Sequence, residues 1–568
     1  MVPTRDRVPP HLRRYVVEQD YAAYDAVDQA VWRFVLLQMY DRLERSAHPA
    51  YARGLSQTGM SVERIPSIAD MDRCLSDFGW GAVCVDGFIP PRAFQEFQSL
   101  GILPIAAEMR RVEHLPYTPA PDIIHEAAGH APILPDPEYA AFLRRIGEYG
   151  TRAFASARDA QLYAAVRRLS FIKEQRDAGP ADIAEAERAL AELVVRPAPA
   201  SEATRLSRLY WWTVEYGLFG TPERYKLYGA GLLSSLAESH FCHDAAVRKL
   251  PLRPECVEVD YDITRPQPQL FTVTDFGELS AVLEEVCAGF AFRQGGPQGL
   301  GTALAAAEVA TIELDSGLQI TGEVAELQQD AGDVWFVRLR GSCAVGREGR
   351  LLAEHGRAAY PRGLALVLAD GAGLSRTFAT AAPAAVVALE GGAGAVRIEG
   401  QGATALASGS GRVLAIARGR VTRGSTLLLR DEPLVLATGR VRSVRAGAAD
   451  PAFWPEAQYP QQKAPVRAPE QPRERERRAV YERAVAARST PEWAAVHERL
   501  QRDFPDDWLL RWNVLRSLTE IEADAPRRAQ LTDELLALEE RYQQRNPIAM
   551  GLRYLGYPDE AARRARSA

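Results

Sequence analysis

Up to position 293, apolar residues recur at three- and four-residue intervals, the period of helices with one buried face. Val27, Val31, Val35, Leu36, Met39, Tyr40 and Leu43 predict a helix over Ala26–Leu43. Ile68–Phe78 and Pro91–Leu100 read as shorter helices, the second opened by Pro90-Pro91, because proline suits a first helical turn. Between them, Ala82-Val83-Cys84-Val85 reads as a short strand. Lys173–Val195 is charged, Ala-rich and amphipathic, broken at Gly179-Pro180, and Arg196–Ser201 follows as a linker. Residues 155–204 are therefore expected to be a helical insertion on the surface of this first block.

After Gln294-Gly295-Gly296-Pro297-Gln298-Gly299-Leu300-Gly301 the period changes. Thr311–Val324 alternates apolar and polar residues, as does Val334–Leu339. Short apolar runs follow at Leu364–Leu368, Ala384–Leu389, Val413–Ala417, Leu427–Leu429 and Leu434–Ala437, punctuated by Gly, Asp and Ser. This pattern predicts an all-β domain over 305–446, sandwich- or barrel-like. Residues 447–477, rich in Pro, Gln and Arg, read as a linker. Residues 478–568 return to helical periodicity. Ser489-Thr490-Pro491-Glu492 supplies an N-cap and an early proline, and Leu509, Leu510, Trp512, Val514 and Leu515 make an apolar face. The expected fold is multidomain: a mostly α-helical block over 1–293, an all-β domain, then a small α-helical C-terminal domain.

Composition narrows the function classes. The chain has 568 residues, 47% hydrophobic and 25% charged, as soluble globular domains do. A net charge of −6 gives no basic field for nucleic acid. The start, Met1-Val2-Pro3-Thr4-Arg5-Asp6-Arg7, lacks the apolar core of a signal peptide. No apolar run reaches the roughly 18 residues of a membrane span. Six scattered cysteines without a CxxC pair fit a reducing compartment. A cytoplasmic protein with neither nucleic-acid nor membrane partners is expected.

The candidate chemistry sits in Pro121-Asp122-Ile123-Ile124-His125-Glu126-Ala127-Ala128-Gly129-His130. Two His and one carboxylate on one side of a metal leave open positions, the arrangement of non-haem Fe(II) oxygen chemistry. Glu215, in Tyr210-Trp211-Trp212-Thr213-Val214-Glu215, is a third candidate ligand. The spacing is awkward, since five residues on an ideal helix turn the second His about 140° from the first. Convergence requires the helix to end near Gly129, where glycine permits a change of direction. On the residues alone, two structural histidines are the competing reading. A zinc hydrolase with Glu126 as base is another.

Three longer motifs decide between these. Tyr117–Pro132, Tyr210–Leu218 and Tyr228–Glu238 resemble, in order, the pterin-dependent aromatic amino acid hydroxylases. The resemblance covers residues 10–293 and is most like the long bacterial form. It implies a largely helical basket around one iron, with His125, His130 and Glu215 as ligands. It implies Fe(II), a tetrahydropterin (tetrahydrobiopterin or a bacterial analogue) and O2 as cofactors and co-substrate. Gly87, Ile89, Phe94, Glu126, Ser207 and Tyr210 match pterin contacts, Phe94 being the residue that stacks on the ring.

For the substrate, the resemblance assigns Arg110 to the amino acid carboxylate, with Arg111 as adjacent competitor and Asp122 orienting the guanidinium. Thr118, Gly231 and Ser234 match the carboxylate and amine end. Pro119, Pro121 and Trp211 match the ring slot, and Glu238 an acid near the iron shell. Trp211 and the apolar Val273 favour a one-ring substrate without a hydroxyl, hence ring hydroxylation of free L-phenylalanine to L-tyrosine. The same chemistry on tryptophan, tyrosine or a non-standard aromatic amino acid is the alternative.

Two departures from the animal enzymes stand out. The catalytic block begins within the first few tens of residues, so regulation of the animal kind is not expected from this end. His130 and Glu215 lie 85 positions apart, a span lengthened by the insertion. The C-terminal domains are the expected place for any homo-oligomeric contact.

Overall fold

The computed structural model describes residues 3–87, 89–115, 121–174, 179–195, 198–263, 266–330, 332–368, 384–391, 394–406, 413–454, 471–539 and 547–557. Thr118 and Pro119 lie outside them. No helix among the described residues is long and apolar enough to cross a membrane.

The first block is built around helix α1, Ala26–Ser46. Asp25 and Asp28 form a reciprocal cap at its start, which satisfies amide groups that have no intrahelical acceptor. Val31, Val35, Leu36, Met39 and Leu43 are buried, but Tyr40 is half exposed, at the margin of the apolar face. Strand β1 (Gly81–Val85), helix α2 (Pro91–Ser99) and parallel strand β2 (Ile102–Ala106) make one β-α-β unit. Helix α3, Pro137–Arg152, packs against α2. Two helices, Ala157–Glu174 and Pro180–Val195, pack as a hairpin over the interval where an insertion was expected. Helix α4, Glu202–Tyr210, runs into the Glu215 segment. Strands β3 (Gly217–Thr221), β4 (Arg224–Leu227), β5 (Arg248–Pro251) and β6 (Gln269–Val273) form a small sheet in the order β4-β3-β6-β5. Helix α5, Ala230–Ser234, lies between β4 and β5 in sequence and packs on the His125 segment.

The predicted boundary at 294–301 is itself largely helical: α6 spans Gly296–Ala306 and packs on the sheet that follows. That sheet contains β7 (Val309–Leu314), β8 (Leu318–Asp330), β9 (Asp333–Arg347), β10 (Arg350–Leu351), β11 (Gly363–Leu368), β12 (Ala384–Gly391), β13 (Gly394–Leu406), β14 (Val413–Arg423), β15 (Thr426–Ala437) and β16 (Val441–Ala446). Thr311–Val324, read as one alternating run, is two strands with a turn at Asp315–Gly317. Leu427–Leu429 and Leu434–Ala437 are one strand. Among the described residues the ten strands form a single sheet with an open path from β12 to β16 and no closure into a barrel. Both faces are apolar. Leu364, Leu366 and Leu368 join one cluster, while Ala365 and Val367 join the other, as the two-residue period of a strand requires.

The stretch read as a linker, 447–477, is partly structured. Trp454 is buried against Ala448 of the same stretch and Ala344 of β9. Helix α7 already begins at Pro472 and runs to Ala486. It is followed by α8 (Thr490–Asp503), α9 (Trp508–Glu520), α10 (Ala525–Glu539) and α11 (Pro547–Tyr554). These helices do not stand apart. They return across the chain to α1, where Phe34 meets Trp508 and Trp512 edge-on at 5.1 and 4.7 Å between centroids. The buried residues of both segments form one continuous apolar core.

Candidate active site

The two segments that carry the expected ligands share an uncommon local structure. Ile124–His130 and Trp211–Glu215 are both π-helical. A π-turn pairs residues i and i+5, so His125 and His130 come to the same side without the helix ending at Gly129. The five-residue spacing is therefore explained by a wider turn, not by a terminus. Gly129 serves another need: a Cβ there would lie 2.8 Å from the Ala230 carbonyl, so only glycine lets α5 approach this closely. Gly231 is similarly placed, with the Tyr216 ring 3.0 Å from where a Cβ would be.

His125 Nε2 and His130 Nε2 lie 3.1 Å apart. Glu215 reaches each of them at 3.3 Å, one carboxylate oxygen apiece. The three ligand atoms all lie within 4.8 Å of one another. His130 is 1% exposed and Glu215 9%. The two imidazoles hold the Glu215 carboxyl well below its ordinary pKa, against the opposing effect of burial. Ser234 Oγ donates to the Ala230 carbonyl at 2.7 Å and lies 2.9 Å from His125 Nδ1. With its own proton committed, the hydroxyl accepts from Nδ1–H, which leaves a lone pair on His125 Nε2. Two imidazole nitrogens and an ionised carboxylate converging this way fit a divalent first-row metal with open positions.

Beside the triad, Arg110 and Asp122 form a buried bidentate pair. Nε and Nη2 of Arg110 donate to the two Asp122 oxygens at 2.8 and 2.7 Å. Asp122 also accepts the amides of Arg110 and His125 at 3.0 Å each. Burial raises the Asp122 pKa, but the Arg110 charge and these hydrogen bonds outweigh it and hold the carboxyl below its ordinary value. Arg110 Nη1 donates to the Ser234 carbonyl at 3.1 Å, which leaves two guanidinium N–H groups for a further acceptor. Arg111 instead points outward toward Glu113. Of the two neighbouring arginines, Arg110 is thus the one held in the buried pair with Asp122.

Glu126 is 4% exposed, with Oε2 3.9 Å from His130 Nε2. Burial pushes its pKa up to about 8, opposed by His130 and reinforced by Glu215 and Asp122. Phe94 and Tyr210 face each other edge-on at 6.2 Å. The other expected pterin contacts are less simply placed. The Gly87 amide is taken by Glu108 Oε1 at 2.8 Å, and Ile89 is buried in the apolar cluster behind α2. The Ser207 hydroxyl lies 2.9 Å from the Tyr261 hydroxyl. On the substrate side, Trp211 stacks on Tyr261, Glu238 is buried, and Val273 is buried at the end of β6 opposite Phe219. Pro121 opens the described part of the His125 segment.

Sequence reasoning missed two site residues. Gln98, fully buried on α2, donates to Tyr210 Oη at 2.7 Å. Tyr261 touches both Ser207 and Trp211. Gln98 falls on the buried side of the predicted Pro91–Leu100 helix, a faint signal for a buried polar role. Tyr261 had none, lying outside every motif.

A family model described as biopterin-dependent aromatic amino acid hydroxylase matches residues 15–168 and 182–292. Residues 15–292 of the chain are thus similar to this family. The match is interrupted over 169–181, within the helical hairpin, a narrower interval than the 155–204 expected for an insertion. Phenylalanine-4-hydroxylase of Caulobacter vibrioides is 27% identical over 273 residues, covering 48% of this chain and 75% of the relative. That of Pseudomonas aeruginosa is 27% identical over 277 residues, covering 48% and 88%. The crystal structure of Chromobacterium violaceum phenylalanine hydroxylase with bound iron(III) and 7,8-dihydrobiopterin matches 48% of this chain and 85% of its own. Its identity is 25% and its TM-score 0.39.

Proposed function

We propose that this chain is an Fe(II)- and tetrahydropterin-dependent monooxygenase that hydroxylates the ring of free L-phenylalanine to give L-tyrosine. The observation that carries this reading is the convergence of His125, His130 and Glu215 beside the Arg110–Asp122 pair, inside the block that matches the family.

These three residues would hold the iron, which together with a reduced pterin would supply the electrons that activate O2. The chain's own groups do the rest. Ser234 fixes the His125 tautomer that presents Nε2. Arg110, braced by Asp122, offers its two remaining N–H groups to the substrate carboxylate, a strong and directional contact. Trp211 bounds the substrate ring, and the apolar Val273 leaves no polar group that a substrate hydroxyl would satisfy. Phe94, Tyr210 and Glu126 face the cofactor side. Burial of the ligand set excludes water from the reacting ring.

The test is an anaerobically Fe(II)-loaded assay with tetrahydrobiopterin and phenylalanine, tyrosine or tryptophan, started with O2 and read by product mass. One added oxygen on phenylalanine, with tyrosine and tryptophan turned over more slowly, is the expected result. Preferential hydroxylation of another ring would replace the substrate. No hydroxylated product from any of the three would remove the reading.

A further inference from the structure

Residues 257–261 are fastened lengthwise onto the segment that carries the expected ring wall. Arg208 Nη1 donates to the Val257 carbonyl at 2.8 Å, and its guanidinium also pairs with Asp260. Trp212 Nε1 donates to the Val259 carbonyl at 3.0 Å. Tyr261 then makes two contacts at once. Its ring stacks on Trp211 at 4.3 Å between centroids and 11° between planes, and its hydroxyl meets Ser207 Oγ at 2.9 Å. Ser207 and Trp211 are four residues apart, so they share one side of the helix and its π-helical continuation.

Among the described residues, the Trp211 indole has no hydrogen bond to fix it. Its Nε1 is buried and has no partner among the described residues. Its plane is therefore set by packing: the parallel stack on Tyr261 and a tilted contact with Tyr216 at 4.7 Å and 31°. An aromatic pair prefers a small set of geometries, so a ring held at its far end transmits its own orientation to its neighbour. Ser207 holds that far end.

We infer that Tyr261 is a specificity-determining positioning residue: it fixes the plane of Trp211, and hence the width of the ring slot, and ties that wall to the cofactor side through Ser207. This rests on the reading above in which Trp211 lines the substrate ring. Tyr261 acts through Trp211 and Ser207 and has no assigned contact with the reacting atoms.

The experiment uses the full-length Fe(II)-loaded chain with tetrahydrobiopterin. Binding of phenylalanine and tryptophan is measured by calorimetry without O2, and turnover separately. Tyr261→Leu, which removes the stack and the hydroxyl, is expected to weaken phenylalanine binding and lower the phenylalanine-over-tryptophan preference by about tenfold, the scale of one aromatic pair. Tyr261→Phe keeps the stack and is expected to keep the ring preference. Like Ser207→Ala, it is expected to raise the pterin KM a few-fold, and the double variant should be no worse than either single one. A folded, iron-binding Tyr261→Leu chain with unchanged ring preference overturns the inference. If that variant does not fold, additive effects of Tyr261→Phe and Ser207→Ala overturn it instead. A wild-type chain that binds phenylalanine normally while the variants behave like it removes only this inference. A wild-type chain that binds no aromatic amino acid removes the slot itself.

Discussion

At the scale of single residues, the site divides into groups that motif spacing reveals and groups that only folding brings together. His125, His130, Glu215 and Asp122 could be singled out because their motifs are long and ordered along the chain, and Arg110 by its spacing of eight residues before Thr118. The hydroxyl of Ser234 was read as a substrate contact, whereas the structure puts it on His125 Nδ1, 109 residues away in sequence. No local pattern encodes such a bond. Its removal is a direct test. Ser234→Ala should leave the fold intact but cost about 10–100-fold in iron affinity, as loss of a ligand-orienting hydrogen bond does; competition with a chelator measures it. Undiminished affinity would mean that the His125 tautomer is fixed otherwise. Asp122→Ala is expected to behave differently. It leaves the Arg110 guanidinium, 1% exposed, without its counter-charge, and breaking a buried pair costs about 3–5 kcal/mol. Urea unfolding should show that loss, while Arg111→Ala, at an exposed pair, should change stability by less than about 1 kcal/mol.

At the scale of elements, the periodicities identified what would be helix and strand but not their finer geometry. The five-residue His spacing pointed to a helix end because an α-helix was assumed; the wider π-turn resolves it. The hairpin turn at Asp315–Gly317 was passed over because the apolar phase of Ile312 and Leu314 resumes at Leu318 and Ile320. The close contact of the His125 segment with α5 yields a prediction at this scale. Gly129→Ala places a methyl 2.8 Å from the Ala230 carbonyl, a backbone atom that cannot swing away. Overpacking of this kind costs about 1–3 kcal/mol, and because the displaced segment carries His125 and His130, iron affinity should fall with stability. Loss of one without the other would separate the ligand geometry from the packing. Among the C-terminal helices, Glu534 of α10 accepts from Arg511 at 2.8 Å and from Gln501, and lies 3.0 Å from His497 Nε2. These partners outweigh the opposing effect of burial and pull its pKa down to about 2. A carboxyl lowered on folding stabilises fully above its unfolded pKa of about 4.3 and loses that contribution as pH falls toward 2. Glu534→Gln should flatten the stability of this helix group between those limits, read by circular dichroism against pH.

At the scale of the whole molecule, the domain pattern in the sequence and the packing in the structure diverge most at the C-terminus. Helical periodicity marked the last segment as a separate small domain, since nothing in a local pattern names a partner more than four hundred residues away. The structure instead sets Trp508 and Trp512 around Phe34 of α1, with Trp512 Nε1 donating to the Gly551 carbonyl at 2.9 Å and Gly551 itself close against the Phe34 ring. Arg516 adds a 3.5 Å ion pair to Glu63, partly exposed and therefore of small energetic weight. Trp512 is fully buried, and truncating a buried tryptophan costs about 3–5 kcal/mol. If the C-terminal helices were an independent module, Trp512→Ala would lower only their own melting transition and leave iron-dependent turnover untouched. A shared core predicts otherwise: the loss is felt by α1 and the catalytic block with it. Calorimetry of the full-length variant should show the catalytic transition shifted to lower temperature together with that of the helices, and thermal inactivation should follow the same shift. A catalytic transition that stays in place while the helices melt early would restore the separate domain that the sequence pattern suggested.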